Sequence, residues 1–131
     1  MTSTENFSAE TVCLVDDDPS VLKSIGRLLA SDGFSVRSFT RPKDFLAFLR
    51  TVPVSLVVLD IWMEGMSGLE VQAEIAAVSP ETRVIIITGR DNPTAKVTAL
   101  RSGVFAFFTK PFDGDKFLDA VRFALAMQVH E

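Results

Sequence analysis

The sequence predicts an α/β fold built on a single five-stranded parallel sheet flanked by five helices. Strand-like and helix-like patterns alternate along the 131 residues without a long gap. Most of the strand-like runs are short, apolar and bounded by turn residues, which is typical of strands that a parallel sheet buries on both faces. Such an alternation places helices on both sides of one sheet, joined by right-handed crossovers.

The first strand is predicted at 11–15, and the helix that follows opens at Asp18-Pro19-Ser20. Proline in the first turn and a side-chain oxygen that accepts backbone N–H bonds are typical of helix starts. Gly33 comes after the last turn, where glycine commonly ends a helix. The apolar stripe expected to face the sheet consists of Val21, Leu22, Ile25, Leu28 and Leu29.

The second strand, 34–39, alternates apolar and polar residues, which predicts a half-exposed strand at an edge of the sheet. Thr40 is expected to cap a second helix at 42–50. The residues of this helix that face inward are Phe45, Leu46 and Leu49. A third strand at 54–59 is apolar enough to lie in the centre of the sheet.

A loop at 65–68 leads into a third helix at 69–78, which stops before Pro80 because the residue preceding a proline disfavours helical geometry. The isoleucine-rich run at 83–87 has a strong β preference and is the fourth strand.

The last part of the chain supplies two helices and one strand. The fourth helix begins at 91–94 and ends at Gly103, the fifth strand covers 104–109, and the last helix follows 113–115 and continues nearly to His130. Two strand orders are common in doubly wound sheets, and the five-stranded one is 2-1-3-4-5. In that order the first and third strands are neighbours at the point where the winding reverses, which is where such sheets bind ligands.

Charged side chains follow three of the predicted strands. Asp16 and Asp17 follow the first, Asp60 follows the third and Lys110 follows the fifth. Since the carboxyl ends of parallel strands share one edge of the sheet, we expect these groups to meet in one crevice. Acidic groups at such short distances repel each other unless a cation offsets their charge. The pattern therefore predicts a metal-dependent phosphate site.

Composition limits the classes of function. The net charge is −4 and 47% of the residues are hydrophobic, which fits one compact domain over 1–131 with an ordered core at about 10–127. No basic face that would bind nucleic acid is evident, and no apolar stretch is long enough to span a bilayer. Cys13 is the only cysteine, which excludes an internal disulfide, favours a cytoplasmic location and suits a small buried side chain.

Each acidic residue has a chemical and an ordinary interpretation. A carboxylate such as Asp60 can be a nucleophile toward phosphorus, or it can be a turn or helix-capping residue. Asp16 and Asp17 offer the hard oxygen ligands that Mg²⁺ prefers, or they form a solvated acidic start of the next helix. Asp18 fits the capping role best.

Three residues near the ends of the fourth and fifth strands complete the candidate site. Lys110 can pair with Asp60 and with a phosphoryl oxygen, or it is a solvated lysine. The Lys110–Pro111 bond is a candidate cis peptide, although most bonds before proline are trans. The Thr88 hydroxyl can hold a phosphoryl oxygen, or Thr88 simply ends a strand. Phe107 is expected to be a buried aromatic residue.

Taken in order, these residues resemble the receiver domain of two-component response regulators over about 12–126. The resemblance rests on Asp16-Asp17, Asp60, Thr88-Gly89, Phe107 and Lys110-Pro111-Phe112. The segments VDDDPSV and MSGLE are most similar to the FixJ-type subgroup, in which the receiver usually precedes a DNA-binding domain.

The resemblance implies a flavodoxin-like fold and a role for each residue. Asp60 would accept a phosphoryl group from a phosphohistidine on a sensor histidine kinase, and the chain would not be an ordinary enzyme. Mg²⁺, or Mn²⁺, would be held by Asp16, Asp17, Asp60 and the backbone carbonyl of Trp62. Thr88 and Lys110 would contact the phosphoryl group, and Thr88 with Phe107 would form the conformational switch.

The chain departs from the family pattern beside Asp60. The family often reads D-x-x-M-P, whereas here Met63 is followed by Glu64, which adds a negative charge near the site. Trp62 is bulky beside the path of an attacking water, and Arg90 can lean over the same path. In such domains the positions of Trp62 and Arg90 affect the lifetime of the phosphoryl group.

Further interactions and other functions fit parts of the same sequence. Phosphorylation-dependent dimerisation through the fourth helix and fifth strand has as its candidate residues Val97, Leu100, Arg101 and Val104, whose alternative is ordinary core and solvated helix face. A stand-alone receiver would act by protein–protein interaction. A phosphatase of the haloacid-dehalogenase type needs an aspartate where Trp62 stands, and a nucleotide or flavin binder needs a glycine-rich loop that is missing. In a pure interaction module the acidic residues would be only caps.

Overall fold

A computed structural model describes residues 11–127. The strands are β1 (Thr11–Val15), β2 (Ser35–Phe39), β3 (Leu56–Leu59), β4 (Arg83–Thr88) and β5 (Ala106–Thr109). All pairings are parallel and the order is β2-β1-β3-β4-β5, which confirms the predicted topology. The expected continuation of the last helix toward His130 lies outside the described residues.

Five helices connect and follow the strands. They are α1 (Pro19–Ser31), α2 (Pro42–Leu49), α3 (Gly68–Val78), α4 (Pro93–Arg101) and α5 (Gly114–Met127). Successive residues of β1 point to opposite faces, so Cys13 packs with α2, α3 and α4 while Leu14 packs with α1 and α5. The sheet is therefore covered on both faces, as its apolar strands require.

The register of the central strands fixes the position of the site. Val15 at the end of β1 is paired with Leu59 at the end of β3. The N–H of Asp60 donates to the carbonyl of Val15 at 3.1 Å, which extends the pairing by one residue. At the other side, the N–H of Lys110 donates to the carbonyl of Thr88 at 2.8 Å. The residues that follow β1, β3, β4 and β5 consequently lie at one edge.

The start of α2 differs from the prediction. Its N-cap is Arg41, not Thr40, and the Arg41 side chain makes no capping hydrogen bond. Pro42 occupies the first helical position, where its fixed φ suits a helix and its missing N–H needs no partner. Pro42 therefore sets the start of the helix, and Thr40 lies one residue before the N-cap position.

Other boundaries shift by one or two residues. Val54 and Val104 are buried in the core but precede β3 and β5 rather than belonging to them. The apolar pattern therefore predicted correctly that these residues are buried, but it did not predict that they lie outside the strand pairing of the sheet. The prediction of β2 as a half-exposed edge strand is confirmed. Gly33 has φ +89° and follows the C-cap Asp32, which confirms that it ends α1.

Cys13 is part of the core, as predicted. Only 1% of its surface is exposed, and burial raises the pKa of its thiol to about 12. A thiol that holds its proton so firmly is a poor nucleophile, which fits a packing role. Among residues 11–127, none of the helices is both long enough and apolar enough to cross a membrane.

Candidate functional site

Three carboxylates meet at the carboxyl ends of β1 and β3. One oxygen from each of Asp16, Asp17 and Asp60 lies within 4.8 Å of the others. The convergence that the strand order predicted is therefore present in the structure. Three hard oxygen donors at this spacing fit a small divalent cation such as Mg²⁺, which takes one or two carboxylates and keeps several waters.

The carboxylates are held in an environment that disfavours their charge. Asp16 is buried, and Asp60 is half-buried. Burial, followed by the negative charge of Asp16, raises the pKa of Asp60 to about 6. Burial also raises the pKa of Asp16, opposed by the backbone N–H of Asp18 and by Lys110. A bound cation would favour the charged forms of both groups, so the electrostatics agree with a cation site.

This arrangement gives Asp60→Asn a stabilising effect in the metal-free protein. An aspartate whose pKa is about 6 when folded and 3.8 in its unperturbed form stabilises the fold only when protonated. That contribution is complete below pH 3.8 and is lost as the pH rises through about 6. In EDTA at pH 7.5 we expect Asp60→Asn to be more stable than the wild type by about 1 kcal/mol, a value reduced for solvent screening.

Thermal unfolding in EDTA at pH 4 and at pH 7.5 measures the effect. Asp119→Asn is the matched control because the Asp119 side chain is 74% exposed on α5 and does not line the cleft at the cluster. The gain in stability of Asp60→Asn over the wild type should be present at pH 7.5 and nearly absent at pH 4. The control variant should show no gain at either pH. An advantage equal at both pH values would contradict the electrostatic explanation.

Asp17 and Asp18 have different surroundings although they are adjacent. Asp17 is exposed, and its Oδ2 accepts the backbone N–H of Glu64 at 3.0 Å. Asp18 is the N-cap of α1 and accepts the N–H and the hydroxyl of Ser20 at 3.0 and 2.8 Å. These hydrogen bonds, led by that of the Ser20 hydroxyl, lower the pKa of Asp18. The predicted capping role of Asp18 is confirmed.

Lys110 lies at the site but its closest partner differs from the expected one. Its Nζ is 4.0 Å from Oδ2 of Asp16, and the predicted ion pair with Asp60 is absent among the described residues. The long lysine stem reaches past the ends of β4 and β3 to the buried carboxylate that follows β1. Its charge still lowers the pKa of Asp60. The Lys110–Pro111 bond is cis, as the sequence allowed.

Thr88 and Phe107 lie beside the cleft rather than in it. The Thr88 side chain is 1% exposed, and its Oγ1 accepts the N–H of Arg90 at 3.2 Å. Phe107 is half-buried against the core on the α2–α4 side, and Nζ of Lys96 lies 5.9 Å from its ring centroid. Each side chain thus borders the β4–α4 region, Thr88 through the backbone of Arg90 and Phe107 through Lys96.

A cleft of about 330 Å³ opens above the carboxylates. It is lined by Asp16, Asp17, Asp18, Val21, Asp60, Trp62, Gly89, Arg90 and Lys110. The Arg90 guanidinium lies 4.9 Å from the centroid of the half-exposed Trp62 ring. This cation–π contact places both bulky side chains at the mouth of the cleft, as their positions in the sequence suggested. Glu64 lies at the side, with its N–H on Asp17.

Gly68 is a site residue that the sequence did not reveal. A Cβ at this position would collide with the carbonyl oxygen of Asp60 and would lie 2.9 Å from Cα of Ile61. The N–H of Gly68 donates to the carbonyl of Ile61 at 2.8 Å, which closes the loop beneath Asp60. The available signal was a glycine next to Ser67, a helix-capping residue whose capping box with Glu70 starts α3.

The residues proposed for an interface divide into two groups. Val97 and Leu100 are each 47% exposed on α4, and Arg101 is also exposed. Val104 is 7% exposed and belongs to the core, so its inclusion in the interface was wrong. It lies where the chain turns inward from α4 to β5, and an apolar residue there fills the space under the helix.

The comparisons with known proteins agree with this site. A family model described as "Response regulator receiver domain" matches residues 12–122. The transcriptional regulatory protein GlrR of Escherichia coli (strain K12) is 41% identical over 112 residues, which is 86% of this chain and 25% of GlrR. The chain spans 25% to 56% of the length of curated relatives that it matches.

Solved structures match most of the described fold. The solution structure of the beryllofluoride-activated NtrC4 receiver domain dimer has a TM-score of 0.85, with 27% identity, and the match covers 91% of this chain and 98% of that one. The crystal structure of FixJ-N has a TM-score of 0.82, with 32% identity, and covers 88% and 93%. The similarity to FixJ-N agrees with the predicted subgroup without distinguishing it from the NtrC type.

Proposed function

We propose a function for this chain on the basis that it belongs to the response regulator receiver domain family. In this function Asp60 accepts a phosphoryl group from a phosphohistidine on a sensor histidine kinase. The observation that carries the proposal is the cluster of Asp16, Asp17 and Asp60 within 4.8 Å, with the Lys110 ammonium beside it. A cluster of this kind suits the transfer of a dianionic group because it combines a nucleophile, ligands for a cation and a fixed positive charge.

The proposed cation is Mg²⁺, or Mn²⁺ in its place. Its ligands would be the carboxylates of Asp16, Asp17 and Asp60 together with the backbone carbonyl of Trp62. When bound, the cation supplies positive charge that offsets the negative charge on the transferred group. The raised pKa of Asp60 and of Asp16 supports this assignment, since Lys110 is the one positive charge within residues 11–127 that lowers the pKa of both carboxylates.

The proposed transfer is a substitution at phosphorus. An oxygen of ionised Asp60 forms the new O–P bond, the N–P bond of phosphohistidine breaks, and its electron pair returns to the imidazole nitrogen. Lys110 and the Thr88 hydroxyl would hold the oxygens of the phosphoryl group. Water attacking the same phosphorus releases phosphate and restores Asp60. Trp62 and Arg90, stacked at the mouth of the cleft, would slow that water, and Glu64 would add negative charge beside it.

The proposed output is a population shift in the β4–α4–β5 region. The new phosphoryl group would attract the Thr88 hydroxyl away from the Arg90 N–H, and the space vacated would admit Phe107. The face that carries exposed Val97 and Leu100 would then change shape and favour a homodimer. The NtrC4 receiver domain is described as a beryllofluoride-activated dimer, which supports this step. Gel filtration with and without beryllofluoride tests it.

We further propose that the chain regulates a transcription factor. Several of the relatives that match, GlrR among them, are named transcriptional regulatory proteins, and the chain corresponds to 25% of GlrR. The remaining part of such a protein would carry the output activity.

Intact-mass measurement tests the phosphoryl transfer. Incubation with acetyl phosphate and Mg²⁺ should add one phosphoryl group to the wild type, and this adduct should be lost in mild base because an acyl phosphate is labile. Asp60→Asn should gain none, whereas Asp119→Asn, altered at an exposed position outside the cleft, should behave as the wild type. Phosphorylation of Asp60→Asn to the same extent as the wild type would overturn the assignment of Asp60.

A further inference from the structure

The exposed ligand Asp17 is held by a backbone N–H from a different loop. The N–H of Glu64 donates to Oδ2 of Asp17 at 3.0 Å, and the two residues are 47 positions apart. Within residues 11–127 this is the one hydrogen bond identified for the Asp17 carboxylate. Without it the exposed side chain would be free to rotate into solvent, whereas the buried Asp16 is held by the N–H of Asp18 at 3.0 Å.

This hydrogen bond depends on the residue type at position 64. The family pattern D-x-x-M-P places proline there, and proline has no N–H to donate. The replacement of that proline by Glu64 therefore supplies a donor that the usual sequence lacks. The functional effect of Glu64 would then come from its backbone as well as from its charge.

We propose that the Glu64 N–H is a positioning group for the cation ligand Asp17. It fixes one carboxylate oxygen of Asp17 and leaves the other free for a divalent cation shared with Asp16 and Asp60. The bond also ties the β3–α3 loop to a ligand, so cation binding and the order of that loop become coupled. The inference rests on the proposed function, because it assumes that these three carboxylates bind Mg²⁺.

Hydrogen-bond donors that orient metal ligands increase the affinity for the metal by a measurable amount. Loss of a group that holds a ligand typically weakens metal binding by about 10- to 100-fold. Asp17 is exposed, and solvent can replace part of the lost interaction, so we expect the lower end of that range. The coupling requires no direct contact between Glu64 and the cation.

Proline is a substitution that removes this donor with little change in the backbone. Gly65 has φ +88°, which fits the third residue of a type II turn, and proline is favoured at the preceding position of such turns. Glu64→Pro also removes the side-chain charge. Glu64→Ala is the matched control, because it removes the same charge and keeps the N–H.

Titration with Mg²⁺, followed by the fluorescence of Trp62, measures the affinity. Trp62 is the single tryptophan and lines the cleft. Both variants lack the charge and differ in the N–H, so we expect Glu64→Pro to bind Mg²⁺ about 10-fold more weakly than Glu64→Ala. Equal affinities for the two variants would overturn the inference. A wild type that binds no Mg²⁺ would instead overturn the proposed function.

A second measurement applies even if Glu64→Pro folds poorly. In the metal-free wild type, the Glu64 amide should exchange slowly with solvent and should have a ¹H shift typical of a bonded N–H. In Asp17→Ala the exchange should be faster by about 10-fold and the resonance should move upfield. An amide that exchanges at the same rate and keeps its shift in Asp17→Ala would show that Asp17 is not its partner, and the inference would fail.

Discussion

Replacing Gly68 with alanine is expected to destabilise the protein and to slow phosphoryl transfer, although glycine has no functional group. The added Cβ would collide with the carbonyl oxygen of Asp60, so the backbone that carries the nucleophile must move. Overpacking of this kind costs about 1–3 kcal/mol. A displacement of a reacting group by about 1 Å slows a reaction by about 100-fold. Urea unfolding and the rate of phosphorylation by acetyl phosphate measure the two effects.

Gly26→Ala is the matched control for this variant. Gly26 lies within α1, and a Cβ there would be 3.8 Å from Cγ1 of Val36, which is an ordinary contact. Alanine is a better helix former than glycine by roughly 0.5–1 kcal/mol, so this variant should gain stability and keep its phosphorylation rate. If Gly68→Ala matched the wild type in both measurements, the close approach of Gly68 to Asp60 would have no role.

The sheet could be predicted because its determinants are local. Apolar runs bounded by turn residues identified four of the strands, and the alternation of apolar and polar residues identified β2. The alternation of strands with helices identified the parallel order. The predicted strand bounds were wrong at residues that are buried in the core but do not take part in the hydrogen bonding of the sheet. Val54 and Val104 are as buried as strand residues but make no part of the ladder, and a sequence pattern reports only the burial.

The site could be predicted in part because strand order brings strand ends together. Asp16 and Asp60 are neighbours through the pairing of β1 with β3, which the topology requires. The partner of Lys110 was not predictable, since the position of a long flexible side chain depends on the whole cleft. Gly68 escaped prediction because its role is the absence of a side chain at a close backbone approach, which only coordinates reveal.

Replacing Lys110 with methionine is expected to change phosphorylation and cation affinity in opposite directions. Methionine keeps an unbranched apolar stem of similar length and removes the charge. Without the ammonium, negative charge on the transferred group is less well offset, and the rate of phosphorylation should fall by about 100-fold. The same positive charge, 4.0 Å from Oδ2 of Asp16, also repels a divalent cation bound to the carboxylate cluster. Its loss should therefore raise the affinity for Mg²⁺ by a few-fold, as the Trp62 fluorescence titration would report.

Lys116→Met separates this local effect from the general loss of a positive charge. Lys116 is exposed in the first turn of α5, six positions from Lys110, and does not line the cleft. It should leave both measurements near the wild-type values, because an exposed charge outside the cleft is screened by water and salt. A Lys110→Met variant that lost Mg²⁺ binding together with phosphorylation would contradict the assignment, since the lysine would then be maintaining the shape of the cleft. Slower phosphorylation together with tighter Mg²⁺ binding is the result expected if the Lys110 ammonium lies beside the same carboxylates as the cation and stabilises the phosphoryl group during transfer.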